Sequence, residues 1–364
     1  MIPYSLGIYH TDYFQDKSVT HTRLQRVLLL GGLVLVFTLP FFCPSDLMIL
    51  VNMMGISIIA VLGVQILTGY CGIITFGQAG FMSVGAYASL ILGREFGFSF
   101  WEALPCAALA AGLMGLMFGL VALRMRGFYL VIATLAAGLL IPGIFSSYIL
   151  PYFGMYGVGE SMPSFPTIGG IIFDTHEKMW FIILFFVVLM TFFAINFRKT
   201  KLGRAFCSVR DNELSSEVLG VNTAVIRLFA FFICCVFAGV AGSLYAYWIQ
   251  SLSIEQFSYQ ESIYFLGMVI IGGMGSIPGV FVGAVIIRGI GHLVSLFITW
   301  GTSIAMGQVE RFSVEIIQVV IMHAMGIFPL LIGFIILFFI IFAPGGIMQW
   351  WNGFKTSYRV WPLS

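Results

Sequence analysis

Charged residues are concentrated in one short segment of this chain. Residues 203–222 read GRAFCSVRDNELSSEVLGVN and lie between two long apolar runs. Only 9% of the 364 residues are charged, so a segment that carries Arg210, Glu213 and Glu217 suggests noncovalent chemistry, namely ion pairs with another protein. The alternative is an ordinary cytoplasmic loop helix without a partner.

The sequence lacks the common patterns for covalent chemistry. It contains no Gly-Lys-[Ser/Thr] tripeptide, and therefore no Walker A phosphate loop, and no G-x-S-x-G or HExxH pattern. The six cysteines are scattered without a C-x-x-C pair, which favours small buried hydrophobic positions over ligands or disulfides. We therefore predict a protein that is not an enzyme and that binds no metal or cofactor itself.

Two glycine-rich segments, residues 67–80 and 272–279, separate apolar runs. Glycine costs about 1 kcal/mol at a helix position, so these segments predict unwound or closely approached backbone. Irregular backbone at membrane depth is tolerated inside the protein or beside a wet cavity, and paired interruptions point to a transport path. Close helix packing through small residues is the alternative. The pathway candidates are Gly69, Gly72, Gly77, Gln78, Gly80, Thr134, Gly272, Gly273 and Gly275.

Arg288 and His292 are one helical turn apart in an apolar run, so we expect them to share a face. Polar residues inside membranes are costly and usually functional. Two cations on one face suit an anionic group, but they also suit a partner subunit or snorkelling to the membrane interface. The sequence leaves these three roles open.

The composition indicates a membrane protein. The chain is 60% hydrophobic with a mean hydropathy of +1.04, and a helical crossing needs about 20 apolar residues. Because the apolar runs do not alternate, we predict an all-α integral membrane protein, a polytopic bundle of about ten transmembrane helices with glycine-rich helix breaks. The predicted spans are 27–42, 47–67, 78–93, 103–123, 127–148, 179–197, 227–248, 262–272, 278–298 and 327–343.

The positions of Lys and Arg predict the orientation of the chain, because short cytoplasmic loops carry an excess of both. Basic residues precede the first span and cluster again over 198–210, which predicts two cytoplasmic termini. No cleavable leader is predicted. The predicted organisation is a cytoplasmic N-terminal segment (1–26), a transmembrane domain (27–343) with a cytoplasmic loop (198–226), and a cytoplasmic C-terminal tail (344–364).

Five motifs occur in the order found in one transporter family. The sequence resembles the LivM-type permease subunits of high-affinity branched-chain amino acid ABC transporters over about residues 47–290, with Pro344-Gly345-Gly346 as a further match. The motifs are 69–87 (GYCGIITFGQAGFMSVGAY), 123–135 (LRMRGFYLVIATL), 203–222, 237–245 (FAGVAGSLY) and 269–283 (VIIGGMGSIPGVFVG).

The chain departs from the family pattern at a few positions. Phe128 stands where the family has Asp, Gln78 where it has His, and Ser215-Ser216 where it has two alanines. Residues 300–326 have no counterpart in the pattern. These departures affect the prediction of the substrate more than the prediction of the architecture.

The resemblance implies the permease subunit of an ABC importer for branched-chain or related amino acids. The implied partners are a second, LivH-like permease subunit, two cytoplasmic ATPase subunits that use ATP, a periplasmic solute-binding protein and the lipid bilayer of a bacterial inner membrane, with no nucleic acid. One alternative is an ABC permease for urea or short amides. The other is an ion-coupled secondary transporter, which the scarcity of carboxylates inside the spans disfavours.

The resemblance also implies a role for residues 198–226, as a coupling loop whose short cytoplasmic helix docks on an ATPase subunit. Apolar residues such as Phe206, Val209, Val218 and Leu219 are then expected to pack toward the membrane or into the ATPase. The residues implied in coupling are Gly203, Arg204, Arg210, Glu213, Glu217 and Gly220.

Overall fold

Helices make up most of the structure. The computed structural model describes residues 23–125, 127–154, 158–168, 170–306, 329–343 and 345–360. Residues 1–22 of the predicted N-terminal segment and 307–326 of the unmatched segment lie outside these ranges. The helices are α1 (Arg23–Phe42), α2 (Ser45–Val64), α3 (Gln78–Glu95), α4 (Phe100–Arg124), α5 (Phe128–Ile144), α6 (His176–Lys199), α7 (Lys201–Asp211), α8 (Glu213–Val218), α9 (Thr223–Ile249), α10 (Tyr259–Gly272), α11 (Ile277–Met306), α12 (Pro329–Phe342) and α13 (Gly346–Val360).

Each of the ten predicted spans coincides with one of these helices. Six helical stretches of the described chain are long and apolar enough to cross a membrane, and α12 is a shorter apolar helix. The six are Ser45–Tyr70, Phe100–Val121, Phe128–Tyr152, His176–Lys199, Thr223–Ile249 and Ile277–Trp300. The fold is therefore that of a multi-pass helical membrane protein, and the count of ten crossings stays a prediction.

The helical pattern has interruptions that the sequence did not predict. α2 continues in a π-helical turn, Gln65–Tyr70, and α5 in another, Phe145–Ile149, which leads into Leu150–Tyr152. Four short strands also occur: one pair joins the loop before α6 to the loop after α9, and the other pair lies within the loop before α6. β1 (Val158–Ser161) pairs antiparallel with β4 (Ser251–Ser253), and β2 (Thr167–Ile168) with β3 (Ile171–Ile172).

Helix α9 lies at the centre of the bundle, where it packs against α4, α3 and α2. Small residues allow this packing. A Cβ atom added to Gly85 of α3 would lie 2.5 Å from the Cα of Gly239 in α9, so the two backbones are in direct contact. Helices in a bilayer associate through such close van der Waals packing.

Helix α3 begins inside the bundle, where its first N–H groups need partners other than water. Polar side chains of neighbouring elements supply them. The backbone N–H of Phe76 donates to Thr134 Oγ1 at 3.2 Å, and that of Ala79 donates to Ser262 Oγ at 2.9 Å. The break before α3 is thus stabilised by side chains from α5 and α10.

Candidate functional site

We call residues 198–226 the coupling segment. The sequence predicted one short helix here, but the structure contains two. α7 begins after the N-cap Thr200, whose hydroxyl accepts from the N–H of Gly203 at 3.1 Å. Asn212 is extended and accepts from the N–H of Ser215 at 3.0 Å, which ends α7 and caps α8. A short polar side chain such as that of Asn favours this cap over a helix interior. Gly220, after α8, has φ +84°, a left-handed conformation.

The charged side chains of this segment mostly bind within the protein. Glu213 forms an ion pair with Arg227 of α9, with the two side chains 26% and 17% exposed. Glu217 accepts a hydrogen bond from the Thr223 hydroxyl at 2.7 Å. Arg204 donates to the carbonyl of Lys199, at the end of α6, at 3.2 Å. These contacts tie α7 and α8 to the ends of α6 and α9.

Apolar residues, in contrast, are presented on the surface of α8. Leu214 is 73% exposed, Val218 87% and Leu219 81%, whereas Phe206 and Val209 of α7 are buried. We call Leu214, Val218 and Leu219 the α8 apolar face. The expectation from the sequence was that Phe206, Val209, Val218 and Leu219 pack toward the membrane or into the ATPase. Leu214 was not named.

Arg210 connects α7 to the first glycine-rich segment. Its Nη1 donates a hydrogen bond to the carbonyl oxygen of Gly69 at 2.5 Å. Gly72 has φ +76°, and a Cβ atom there would lie 3.1 Å from Cγ of Arg210. A Cβ atom on Gly275, in the second glycine-rich segment, would lie 3.3 Å from the same Nη1. One side chain of the coupling segment therefore reaches both breaks.

Gln65, two residues before the first glycine-rich segment, binds the second segment. Its Nε2 donates to the carbonyl of Gly273 at 3.2 Å and to that of Ser276 at 3.1 Å. Gly273 has φ +108°, and a Cβ atom on it would meet the carbonyl oxygen of Gly345, just before α13. The break after α10 is thus held by α2 on one side and by the start of α13 on the other.

The remaining pathway candidates lie in packed contacts between helices. A Cβ atom on Gly77 would lie 2.7 Å from the Thr134 carbonyl oxygen, and one on Gly80 would lie 2.7 Å from the Cα of Gly138. Gly272 is equally close to the backbone of Gly279, across the second break. These positions match the alternative, close packing through small residues.

Gln78 is buried with both ends of its side-chain amide bound. Its Nε2 donates to the carbonyl of Ala60 at 2.8 Å, and its Oε1 accepts from the Cys234 thiol at 3.1 Å. These contacts link α3 to α2 and α9. The amide thus holds three helices together.

Arg288 is bound by the carboxylate of Glu261, an anionic group within this chain that the sequence did not identify. Its Nη2 and Nη1 donate to the two oxygens of Glu261 at 2.7 and 3.2 Å, and its Nε donates to Ser57 Oγ at 2.8 Å. His292 lies half-buried one turn further along α11. The sequence gave no signal for the pair, since Glu261 and Arg288 lie 27 residues apart on different helices.

Comparison with known proteins identifies the family. The family described as "Branched-chain amino acid transport system / permease component" matches residues 47–339. The chain belongs to this family. The match runs from α2 into α12 and includes both glycine-rich segments and the coupling segment, so it confirms the resemblance stated above.

Individual relatives of the permease come from several organisms. The LivM permease of Salmonella typhimurium is 31% identical over 70% of this chain and 65% of its own length. A probable LivH permease of Methanocaldococcus jannaschii is 26% identical over 57% of this chain and 67% of its own. A nucleoside ABC transporter permease, NupC, of Lactococcus lactis is 24% identical over 54% and 66%. The permease thus spans just under two thirds of the length of LivM. No solved structure matches it significantly.

Proposed function

We propose that this chain is the membrane-spanning permease subunit of an ABC importer. It translocates branched-chain or related amino acids that a periplasmic binding protein delivers, and separate ATPase subunits drive the cycle. One observation carries the proposal: the segment that holds the α8 apolar face also holds Arg210, which binds the backbone of the first glycine-rich break and lies beside Gly275 of the second. A contact site for another protein and the interrupted helices of the bundle are therefore one connected unit.

The α8 apolar face supports a role in docking. Leu214, Val218 and Leu219 are more than 70% exposed on a segment that the Lys/Arg distribution assigns to the cytoplasm. Exposed apolar groups rimmed by polar residues mark protein contact sites. An ATPase subunit that covers this face would bind and hydrolyse the ATP, and the permease itself binds no cofactor. Glu213 and Glu217 then shape the loop from within, while the apolar residues make the contact.

The names of two relatives support a second permease subunit as a partner. LivM and LivH are named as permeases of branched-chain amino acid transport, and this chain is similar to both. A LivH-like second permease, two ATPase subunits and a periplasmic solute-binding protein complete the proposed complex. Its location is a bacterial inner membrane, with both termini of this chain, the segment 1–26 and the tail 344–364, in the cytoplasm.

Two alternatives concern the substrate and the energy source. Urea or short amides, or a nucleoside as in the name of the Lactococcus relative, would replace amino acids as the cargo. An ion-coupled secondary transporter would need a carboxylate free to bind the ion. Glu261, at the start of α10, is instead bound in both oxygens by Arg288, which disfavours this mechanism.

Reconstitution tests the proposal. The chain is co-expressed with its candidate partners, purified as a complex and placed in liposomes with ATP on the ATPase side and binding protein on the other. We expect uptake of labelled leucine that requires ATP, the ATPase subunits and the binding protein. ATP hydrolysis by this chain alone, or leucine accumulation by it driven only by an ion gradient, would contradict the proposal.

A further inference from the structure

The ion pair between Glu261 and Arg288 lies beside a narrow cavity within the bundle. The side chains of Arg288 and Glu261 are only 11% and 21% exposed. Ser57 of α2 binds the guanidinium Nε at 2.8 Å, and the ring of Phe265 lies 5.8 Å from its Cζ. Two full charges are therefore held where three helices meet, largely removed from water.

The cavity that the ion pair borders is otherwise mainly apolar. Both members of the pair line it together with Ser57, Tyr245 and Gln256, which bring hydroxyl and amide groups. The rest of the wall is formed by aliphatic, thioether and aromatic side chains. These are Met53, Ile56, Ala79, Met82, Phe257 and Phe265. The cavity therefore has a doubly charged polar end and an apolar remainder.

The chemistry of the pair restricts which solute can enter between its members. Separating two buried opposite charges leaves each uncompensated, which is strongly unfavourable. A zwitterion avoids this cost because its carboxylate replaces Glu261 as the partner of Arg288 while its ammonium replaces Arg288 as the partner of Glu261. A neutral amide or a nucleoside brings no charge to either residue. The apolar walls then suit an apolar side chain on the same solute.

We propose that Glu261 and Arg288 form a substrate-contact site for the head group of a zwitterionic amino acid with an apolar side chain. The two residues close on each other when the site is empty and exchange partners with the passing solute. This inference rests on the proposed function for the direction and energy of transport. The inference adds the two residues that recognise the charges of the transported solute.

The position of the pair also connects substrate contact to the coupling segment. Glu261 lies in the first turn of α10, and Gly273, held by Gln65 and close to the segment that Arg210 reaches, follows its last turn. Eleven residues separate Glu261 from Gly272, about 17 Å along the helix axis at roughly 1.5 Å per residue. A change of partner at one end of α10 is therefore transmitted to the break at its other end.

The test uses the reconstituted complex and two double variants. Glu261→Gln with Arg288→Gln removes both charges and leaves a polar amide at each position. Glu261→Arg with Arg288→Glu restores an ion pair with exchanged positions. We expect leucine uptake to fall by roughly ten-fold or more in both. If the ion pair were only structural, the exchanged variant would regain uptake. Uptake at the wild-type level in either variant overturns the inference.

A binding measurement separates this inference from the proposed function. The unfolding temperature of the purified complex without binding protein is recorded with leucine, with 3-methylbutylamine, which lacks the carboxylate, and with 4-methylpentanoate, which lacks the ammonium. Only leucine should raise it, and only in the unaltered complex. Equal shifts in the neutral variant overturn the site. A leucine-specific shift without ATP-driven uptake leaves the site standing and overturns the proposed function.

A matched control ion pair is available on the surface. Lys178 and Asp174 form a contact at 2.8 Å with side chains about half exposed, and neither residue lines the cavity. Asp174→Asn with Lys178→Gln should leave both leucine uptake and the leucine-induced shift at the level of the unaltered complex, because exposed pairs contribute little.

Discussion

The guanidinium of Arg210 donates a hydrogen bond to the backbone carbonyl of Gly69, although 141 residues separate them. Gly69 belongs to the π-helical turn that ends α2, and Arg210 to the last turn of α7. A π-helical turn leaves carbonyl groups without their usual helical partners, and a charged donor satisfies such a group well. The side chain of Arg210 therefore attaches the coupling segment to the backbone at the end of α2.

Replacing Arg210 should uncouple ATP hydrolysis from transport. Arg210→Gln removes the charged donor that binds Gly69, a loss of about 1–3 kcal/mol of interaction free energy. The α8 apolar face is unchanged. We expect roughly ten-fold lower uptake with the ATPase subunits still bound, measured as transport per ATP hydrolysed. Lys178→Gln is the control, because Lys178 is a half-exposed cation outside this segment that pairs with Asp174. An unchanged ratio in Arg210→Gln would argue against this link.

Charges on the α8 apolar face should release the ATPase subunits. Val218→Asp with Leu219→Asp places two carboxylates on residues more than 80% exposed, so the fold is preserved but a covering protein would have to bury both charges. We expect a loss of about 2–4 kcal/mol, or at least roughly thirty-fold in affinity. Co-purification of the ATPase subunits measures it. Phe96→Asp, on an exposed residue outside the segment, should have no such effect, and full retention in the double variant would exclude this face as the contact.

Bulky residues at two glycines of the breaks should abolish uptake without abolishing expression. Gly72 and Gly273 have φ +76° and +108°, where other residues are strained, and their neighbours leave no space for a side chain. Gly72→Leu and Gly273→Leu are compared with Gly143→Leu, since Gly143 has no atom within 4 Å of an added Cβ. Uptake by the first two at the level of Gly143→Leu would show that the breaks tolerate distortion.

Removing the amide of Gln65 should destabilise the contact between the breaks. Gln65→Leu has a similar volume but leaves the carbonyls of Gly273 and Ser276 without this donor, at a cost of about 1–3 kcal/mol. The unfolding temperature of the purified permease reports the loss. Ser276→Ala keeps both carbonyl acceptors and should cost less; a larger effect from Ser276→Ala would assign the stability to the serine hydroxyl instead.

The helices could be predicted because long apolar runs in a bilayer permit little else. The breaks could be predicted from their glycines. The local sequence gave no comparable signal for contacts between residues far apart in the chain. Nothing in the local sequence around Gln65 or Glu261 identifies Gly273 or Arg288 as the partner, because such pairs are set by how the helices cross.

The break at Asn212 was missed for a different reason. Helical charge spacing across residues 203–217 is continuous, so the segment resembles one helix. The side chain of Asn212 accepts a hydrogen bond from the N–H of Ser215 and so caps a new helix. This local preference outweighs the helical charge spacing. Leu214 is exposed as a result, since α8 turns away from the direction of α7.

The direct contact between Gly85 and Gly239 divides the bundle into stiff and compliant parts. With no side chain between them, α3 and α9 have nothing to compress, and sliding one along the other would force backbone atoms together. These two helices therefore form a fixed frame. The contact between Gln65 and the second break is of another kind, because it consists of side-chain hydrogen bonds to Gly273 and Ser276 that can break and form again.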